Sequence, residues 1–166
     1  SMCYPVSSMS CHVSACPNHQ TQRTTPFATR GAIASLGATG YELDLTKLSE
    51  EEKAQVREQI ENYKQIDELV LKGDLYRLSD PFQSNYFCEM LVGKDKTRAY
   101  VVGERFRGDP CDHDRVLKLC GLDEGKRYAI RELNVTASGA ALMGAGLFYP
   151  RLPDCGSWIW HIEEVR

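Results

Sequence analysis

YELDLTKLSEEEKAQVREQIENYKQIDELVLKGDLYRL, residues 41–78, is the stretch whose reading decides the fold. It opens on an alternation in which Tyr41, Leu43 and Leu45 share one side and Glu42 and Asp44 the other, which predicts an extended segment over 41–45. Ser49 followed by Glu52 makes a capping box, and the acidic residues at 50–52 suit the positive end of a helix dipole. Val56, Ile60, Tyr63, Ile66, Leu69 and Val70 then form the apolar stripe of one long amphipathic helix. Gly73 is placed to end that helix in the left-handed conformation.

Toward the N-terminus, residues 9–15 are short, apolar and β-tolerant, and Pro17 closes them, which predicts a buried strand. Thr25 suits an N-cap with Pro26 at the first helical position, where it loses no useful N–H. Phe27, Ile33 and Leu36 recur at roughly helical spacing until Gly37 and Gly40 stop the pattern. A strand–helix–strand–helix order calls for parallel strands joined by crossovers. Toward the C-terminus the text changes near Gly73 to short strands between turn signals. Segments 85–92 and 97–106 flank the hairpin-like GKDK, and 116–120 and 127–133 flank GLDEGK in the same way. Residues 138–147 suit one helical turn or a loop. Trp158, Trp160 and Ile162 alternate in a last strand. The expected fold class is α/β plus all-β, with an α/β part over 1–73 and an antiparallel β-sandwich over 74–166.

The apolar fraction of 42% and charged fraction of 26% are those of a globular chain, and a net charge of −3 gives no reason to expect nucleic acid or a membrane surface as partner. No apolar run approaches the roughly 20 residues that span a bilayer. Residues 1–10 lack the pattern of a signal peptide. Seven cysteines, an odd number with several inside apolar alternations, point to free thiols and a reducing, cytoplasmic setting.

Four groups of residues are candidates for chemistry. Cys11, His12, Cys16 and His19 are zinc-ligand types, with Cys3 as an addition and Cys111 and His113 as a distant second pair. A strand through 9–15 sends Cys11 and His12 to opposite faces, which favours core packing and no metal or other cofactor. Asn18, His19, Gln20 and Arg23 follow the first strand and carry side chains suited to hydrogen-bonding sugar hydroxyls, or to a solvated loop. Among carboxylates, Glu42 with Asp44 and Asp112 with Asp114 stand two apart, and neither pair makes a persuasive catalytic dyad. Trp158, Trp160, Tyr128 and Tyr149 are of a type that stacks on sugar faces, but alternating tryptophans in a strand more often build a core.

Two pieces, YPVSSMSCHVSACPNHQTQRTTPFATR (4–30) and YELDLTKLSEEEK (41–53), resemble the last part of bacterial α-galactosidases of glycoside hydrolase family 36. The family's text in the first piece looks like Met-Gly-Ala-His-Val-Ser-Ala-Val-Pro-Asn-His-Gln, with Ser10, Cys11 and Cys16 standing here for Gly, Ala and the second Val. The resemblance implies that 1–73 is the end of a (β/α)8 catalytic barrel, its last two βα units from strand seven to helix eight. Residues 74–166 would be the family's C-terminal antiparallel β domain. It implies a retaining hydrolase of terminal α-1,6-galactosyl residues in melibiose- and raffinose-type sugars, homo-oligomeric at full length. The family's two catalytic aspartates, after strands four and six, have no counterpart here, so the chain is expected to be a C-terminal piece, inactive alone, partnered by the missing barrel portion. In barrels the loops after the strands build the active site, which makes Asn18, His19 and Arg23 the expected substrate-binding residues. The alternative is a stand-alone carbohydrate-binding or interaction module without catalysis.

Overall fold

The computed structural model describes residues 3–108, 110 and 116–165. Strand β1 (Ser10–Ser14) forms where buried Val13 and half-buried Cys11 alternate with exposed Ser10 and His12. Helix α1 (Phe27–Ala34) starts one residue later than expected. Pro26 keeps an extended ψ of 144° and is itself the cap residue, so the Thr25 hydroxyl caps nothing and the Thr25 carbonyl accepts from Arg30 Nε at 3.2 Å. Strand β2 (Ala38–Glu42) lies parallel to β1, in register from Ser10 beside Ala38 to Ser14 beside Glu42. It stops short of Leu45, because Asp44 Oδ1 accepts from the Thr46 amide at 3.0 Å and the Thr46 hydroxyl at 2.6 Å and folds 45–47 into a 3-10 turn.

Helix α2 (Glu50–Lys72) has the capping box read from its sequence: the Glu52 amide donates to Ser49 Oγ at 3.1 Å and the Ser49 amide to Glu52 Oε2 at 3.0 Å. Its stripe buries Ile66, Leu69 and Val70 and half-buries Val56 and Tyr63, but Ile60 lies 41% exposed, off the buried face. Gly73 is extended, with φ −69° and ψ 168°, and not left-handed. What it supplies is room, since a Cβ there would sit 2.5 Å from the Leu69 carbonyl oxygen.

A six-stranded antiparallel sheet follows, in the order β3-β4-β5-β10-β7-β8. It is built from β3 (Asp74–Arg77), β4 (Tyr86–Val92), β5 (Arg98–Arg105), β7 (Arg127–Ile130), β8 (Val135–Ser138) and β10 (Gly156–Val165). The β4–β5 hairpin closes through GKDK as expected, with Lys96 at φ 57° and the Gly93 amide donating to the Arg98 carbonyl at 2.9 Å. The second expected hairpin does not form. Strand β6 (Val116–Leu117) pairs with β9 (Leu147–Phe148) in a separate two-stranded sheet, while β7 pairs with β8 and β10. The GLDEGK segment turns the chain from one sheet into the other: the Asp123 amide donates to the Tyr128 hydroxyl at 3.1 Å and Asp123 Oδ1 accepts from the Gly125 amide at 2.9 Å. Strand β7 ends at Ile130, short of Leu133, because 131–133 form a 3-10 turn and Asn134 at φ 50° reverses the chain into β8. Helix α3 (Gly139–Gly144), capped by Ser138, is the helical turn expected within 138–147.

Alternation along the strands gives the sheet two apolar faces. Cys88, Met90, Val101, Trp158, Trp160 and Ile162 face a core shared with Leu117, Leu119 and Leu142. Leu91, Tyr100 and Val102 face the other way and pack with Ile66, Leu69 and Val70 of α2 and with Leu36. A third cluster, Val13, Phe27 and Ala34 with Tyr41 and Val56, joins the β1–β2 pair to α1 and α2. The α/β part therefore rests directly on the antiparallel sheet, and one helix contributes to both. No described helix is long and apolar enough to cross a membrane.

Candidate functional site

The loop after the carboxyl end of β1 carries the residues expected to bind sugar, and Asn18 organises it. Asn18 Oδ1 accepts from the Gln20 amide at 3.0 Å, the Thr21 amide at 3.0 Å and the Thr21 hydroxyl at 3.1 Å. The Asn18 amide donates to the Arg23 carbonyl at 3.0 Å, and its own carbonyl accepts from the Gln22 amide at 2.8 Å. An asparagine holding its own turn in this way explains why the loop has a defined shape. Asn18, Gln20 and Arg23 border one open cavity of about 590 Å³, together with Arg30 and Glu104. His19 is exposed and does not border it; its carbonyl accepts from Gln22 Nε2 at 3.1 Å.

Arg30 ties this cavity to its scaffold. Its guanidinium donates to the Ser14 carbonyl at 2.5 Å and the Thr25 carbonyl at 3.2 Å, and it lies 4.8 Å from the Phe27 ring centroid. The two ends of the loop are thus clasped by one side chain. Glu104 reaches the cavity from β5, on the side of the sheet that also presents Tyr100 and Val102. Burial pushes the Glu104 carboxyl above its ordinary range, and the nearby Arg23 charge pulls part of that shift back. A further bond joins α1 to the turn before β10, from Thr29 Oγ1 to the Cys155 carbonyl at 2.7 Å. Neither Glu104 nor Arg30 was singled out from the sequence. The signal for Glu104 was an acid on the buried period of an otherwise apolar strand, after Tyr100 and Val102.

The other candidates are placed differently. Cys11 packs beside Gly37, whose absent Cβ would lie 2.5 Å from Cys11 Sγ, while His12 Nε2 sits 2.9 Å from Glu42 Oε2. Among the described residues no three His, Cys, Asp or Glu side chains converge as metal ligands. Cys111, His113, Asp112 and Asp114 lie outside the described residues. Glu42 and Asp44 do not form a same-face pair: the first meets His12 and the second caps the 3-10 turn. The aromatic set is internal, with Tyr128 and Trp160 almost wholly buried, Trp158 at 8% exposure and Tyr149 stacked 4.6 Å from Tyr86. Tyr128, Trp158 and Trp160 are core, and half-buried Tyr149 packs against that core. Among the described residues Glu104 is the one carboxylate bordering the cavity, whereas retaining glycosidases use two, about 5 Å apart.

Comparison with known proteins gives a uniform result. Residues 1–73 match the family model described as Melibiase, and residues 86–162 match that of the glycosyl hydrolase family 36 C-terminal domain. The chain is 41% identical over 167 aligned residues to α-galactosidase AgaA of Geobacillus stearothermophilus, covering 100% of this chain and 23% of that protein. It is 43% identical to α-galactosidase Mel36A of Lactobacillus acidophilus, again covering 23% of it. The crystal structure of AgaA superposes with a TM-score of 0.93 at 40% identity over 98% of this chain and 23% of that one. The galactosidase domain of the α-galactosidase–sucrose kinase AgaSK superposes equally well, at 0.93 and 40%. A variant of AgaA has been crystallised with raffinose and another with stachyose. The chain spans under a quarter of the length of these relatives.

Proposed function

The chain belongs to glycosyl hydrolase family 36 as a C-terminal part of its α-galactosidases, and we propose that it works only within such an enzyme, which releases terminal α-galactosyl residues from raffinose- and melibiose-type sugars. The observation that carries this is the superposition of 98% of the chain on AgaA at 40% identity. In this reading β1, α1, β2 and α2 are the last two βα units of a (β/α)8 barrel, and residues 74–166 are a C-terminal antiparallel β-sandwich domain packed against it. The open outer edges of β1 and β2, each hydrogen-bonded to a single strand among the described residues, suit neighbours on both sides. The partner is the missing portion of the barrel, and the whole enzyme assembles as a homo-oligomer in the cytoplasm.

The chain's own contribution is positional. Asn18 and Arg23 stand on the rim where a barrel builds its active site, and they present an amide and a guanidinium to sugar hydroxyls. His19 adds an exposed imidazole on the same turn. The nucleophile and the acid/base come from the upstream portion, because Glu104, the single cavity carboxylate among the described residues, cannot both protonate a leaving oxygen and capture the glycosyl group. The test is the kinetics of Asn18→Ala and Arg23→Ala in the enzyme assembled with its upstream portion. Loss of a sugar contact raises KM or lowers kcat/KM by about tenfold to a hundredfold, as one or two lost hydrogen bonds to a charged or polar partner would. Unchanged kinetics in both variants would remove this loop from the substrate site.

A further inference from the structure

Glu104 is brought to the cavity after β1 by a part of the fold that has no share in the Asn18 loop. It lies on β5, opposite Phe87 of β4 and Ser157 of β10, and on the side that also carries Tyr100 and Val102. Those two are sealed in the core beneath α2. Glu104 comes two residues after Val102, is half-buried, and borders the cavity together with Thr29, Arg30 and Ile33 of α1. The bond from Thr29 Oγ1 to the Cys155 carbonyl, 2.7 Å long, holds α1 against that end of the sheet. The position of the carboxyl is therefore set by the packing of helix on sheet and not by the loop.

Among the described residues no hydrogen bond or ion pair engages this carboxyl. Unlike the sealed oxygens of Gln55 and Asn62, its oxygens are open to the cavity. A half-buried acid without a partner costs stability, and its place calls for something to bond. Arg23 is near enough for its charge to favour the ionised form, yet the two make no ion pair. Asn18 spends Oδ1 three times on its own loop, while its Nδ2 has no partner among the described residues. The cavity thus presents donors on the loop side and an acceptor on the sheet side. A hydroxyl donates and accepts at once, and it suits such a gap. A metal ion does not, because no second carboxylate borders the cavity among the described residues and a guanidinium stands beside the first.

We propose that Glu104 is a substrate-binding residue of this cavity, accepting a hydrogen bond from a galactoside hydroxyl while Arg23 and Asn18 donate from the opposite side. This rests on the assignment of the Asn18 loop to the substrate site, and adds that the antiparallel sheet reads the sugar directly. The test is the kinetics of Glu104→Gln and Glu104→Leu in the enzyme assembled with its upstream portion. The substrates are melibiose and analogues of melibiose that each lack one hydroxyl. Glu104→Leu removes both acceptor oxygens and should lower kcat/KM for melibiose by about tenfold to a hundredfold, mainly through KM. Glu104→Gln keeps the shape and one acceptor, so its loss is smaller, and it carries the same comparison if Glu104→Leu does not fold. The analogue lacking the bonded hydroxyl should react equally with parent and variants, because the contact is already gone. A uniform loss on every analogue, or failure to co-purify with the upstream portion, would make Glu104 a structural or docking residue and overturn the proposal. Unchanged Glu104 variants beside impaired Asn18→Ala and Arg23→Ala would overturn it and leave the loop in the substrate site. Unchanged kinetics in all four would remove loop and carboxyl together.

Discussion

Ser49 shows how far a single residue can be followed from sequence to energy. Its hydroxyl and the Glu52 carboxylate satisfy two of the amides that open α2. Ser49→Ala is expected to cost about 1 kcal/mol, read as a lower urea midpoint with an unchanged slope. Glu104 makes a prediction of the opposite sign. Its native carboxyl titrates above the ordinary glutamate range because burial outweighs the help of Arg23. The native state therefore binds the proton more tightly than the unfolded chain. The contribution of Glu104 to stability is most favourable below the ordinary glutamate range and declines as pH rises through the raised native value. Glu104→Gln should accordingly melt higher than the parent at pH 7, and this advantage should vanish near pH 4. A parent-like melting temperature at pH 7 would show that Arg23 compensates fully for burial.

At the scale of elements, α2 carries the argument. Ile66, Leu69 and Val70 fill the face of the sheet formed by Leu91, Tyr100 and Val102, so the helix belongs to both halves of the chain. Ile66→Ala should cost about 2–5 kcal/mol and lower the stability of barrel-like and sheet segments together, as hydrogen exchange would report. Protection lost in β1 and β2 alone would contradict the shared core. The same helix shows what the sequence could and could not convey. Its capping box and stripe were legible because they are local and periodic. Gly73 was not, because a Cβ there would meet not only the local Leu69 carbonyl but, at 3.0 Å, the carbonyl of Val92, a neighbour on β4 that no local motif names. The hairpin expected around GLDEGK failed for a similar reason. Two short apolar runs flanking a glycine turn do not encode which strand each will meet, and β6 found β9 while β7 found β10. Of the residues bordering the cavity after β1, Asn18 and Arg23 were legible as a polar cluster after a strand. Arg30 and Glu104 were not, since their place depends on α1 and β5 closing over the same cavity.

For the molecule as a whole, the parallel β1–β2 pair is the unfinished part. Two parallel strands bonded, among the described residues, to each other alone leave two open edges, and the cavity beside them is bordered by one carboxylate among those residues. The sheet behind them packs apolar residues of this chain against both of its faces. A well-packed support beneath a strand pair with open edges is what the proposed role, as a C-terminal portion of a family 36 α-galactosidase, calls for. The measurement that tests this most directly is hydrolysis of a chromogenic α-galactoside by the purified chain, alone and after co-expression with the upstream barrel portion of its enzyme. The account predicts no turnover by the chain alone and turnover in the assembled pair. Turnover by the pure chain, free of host enzyme, would contradict it.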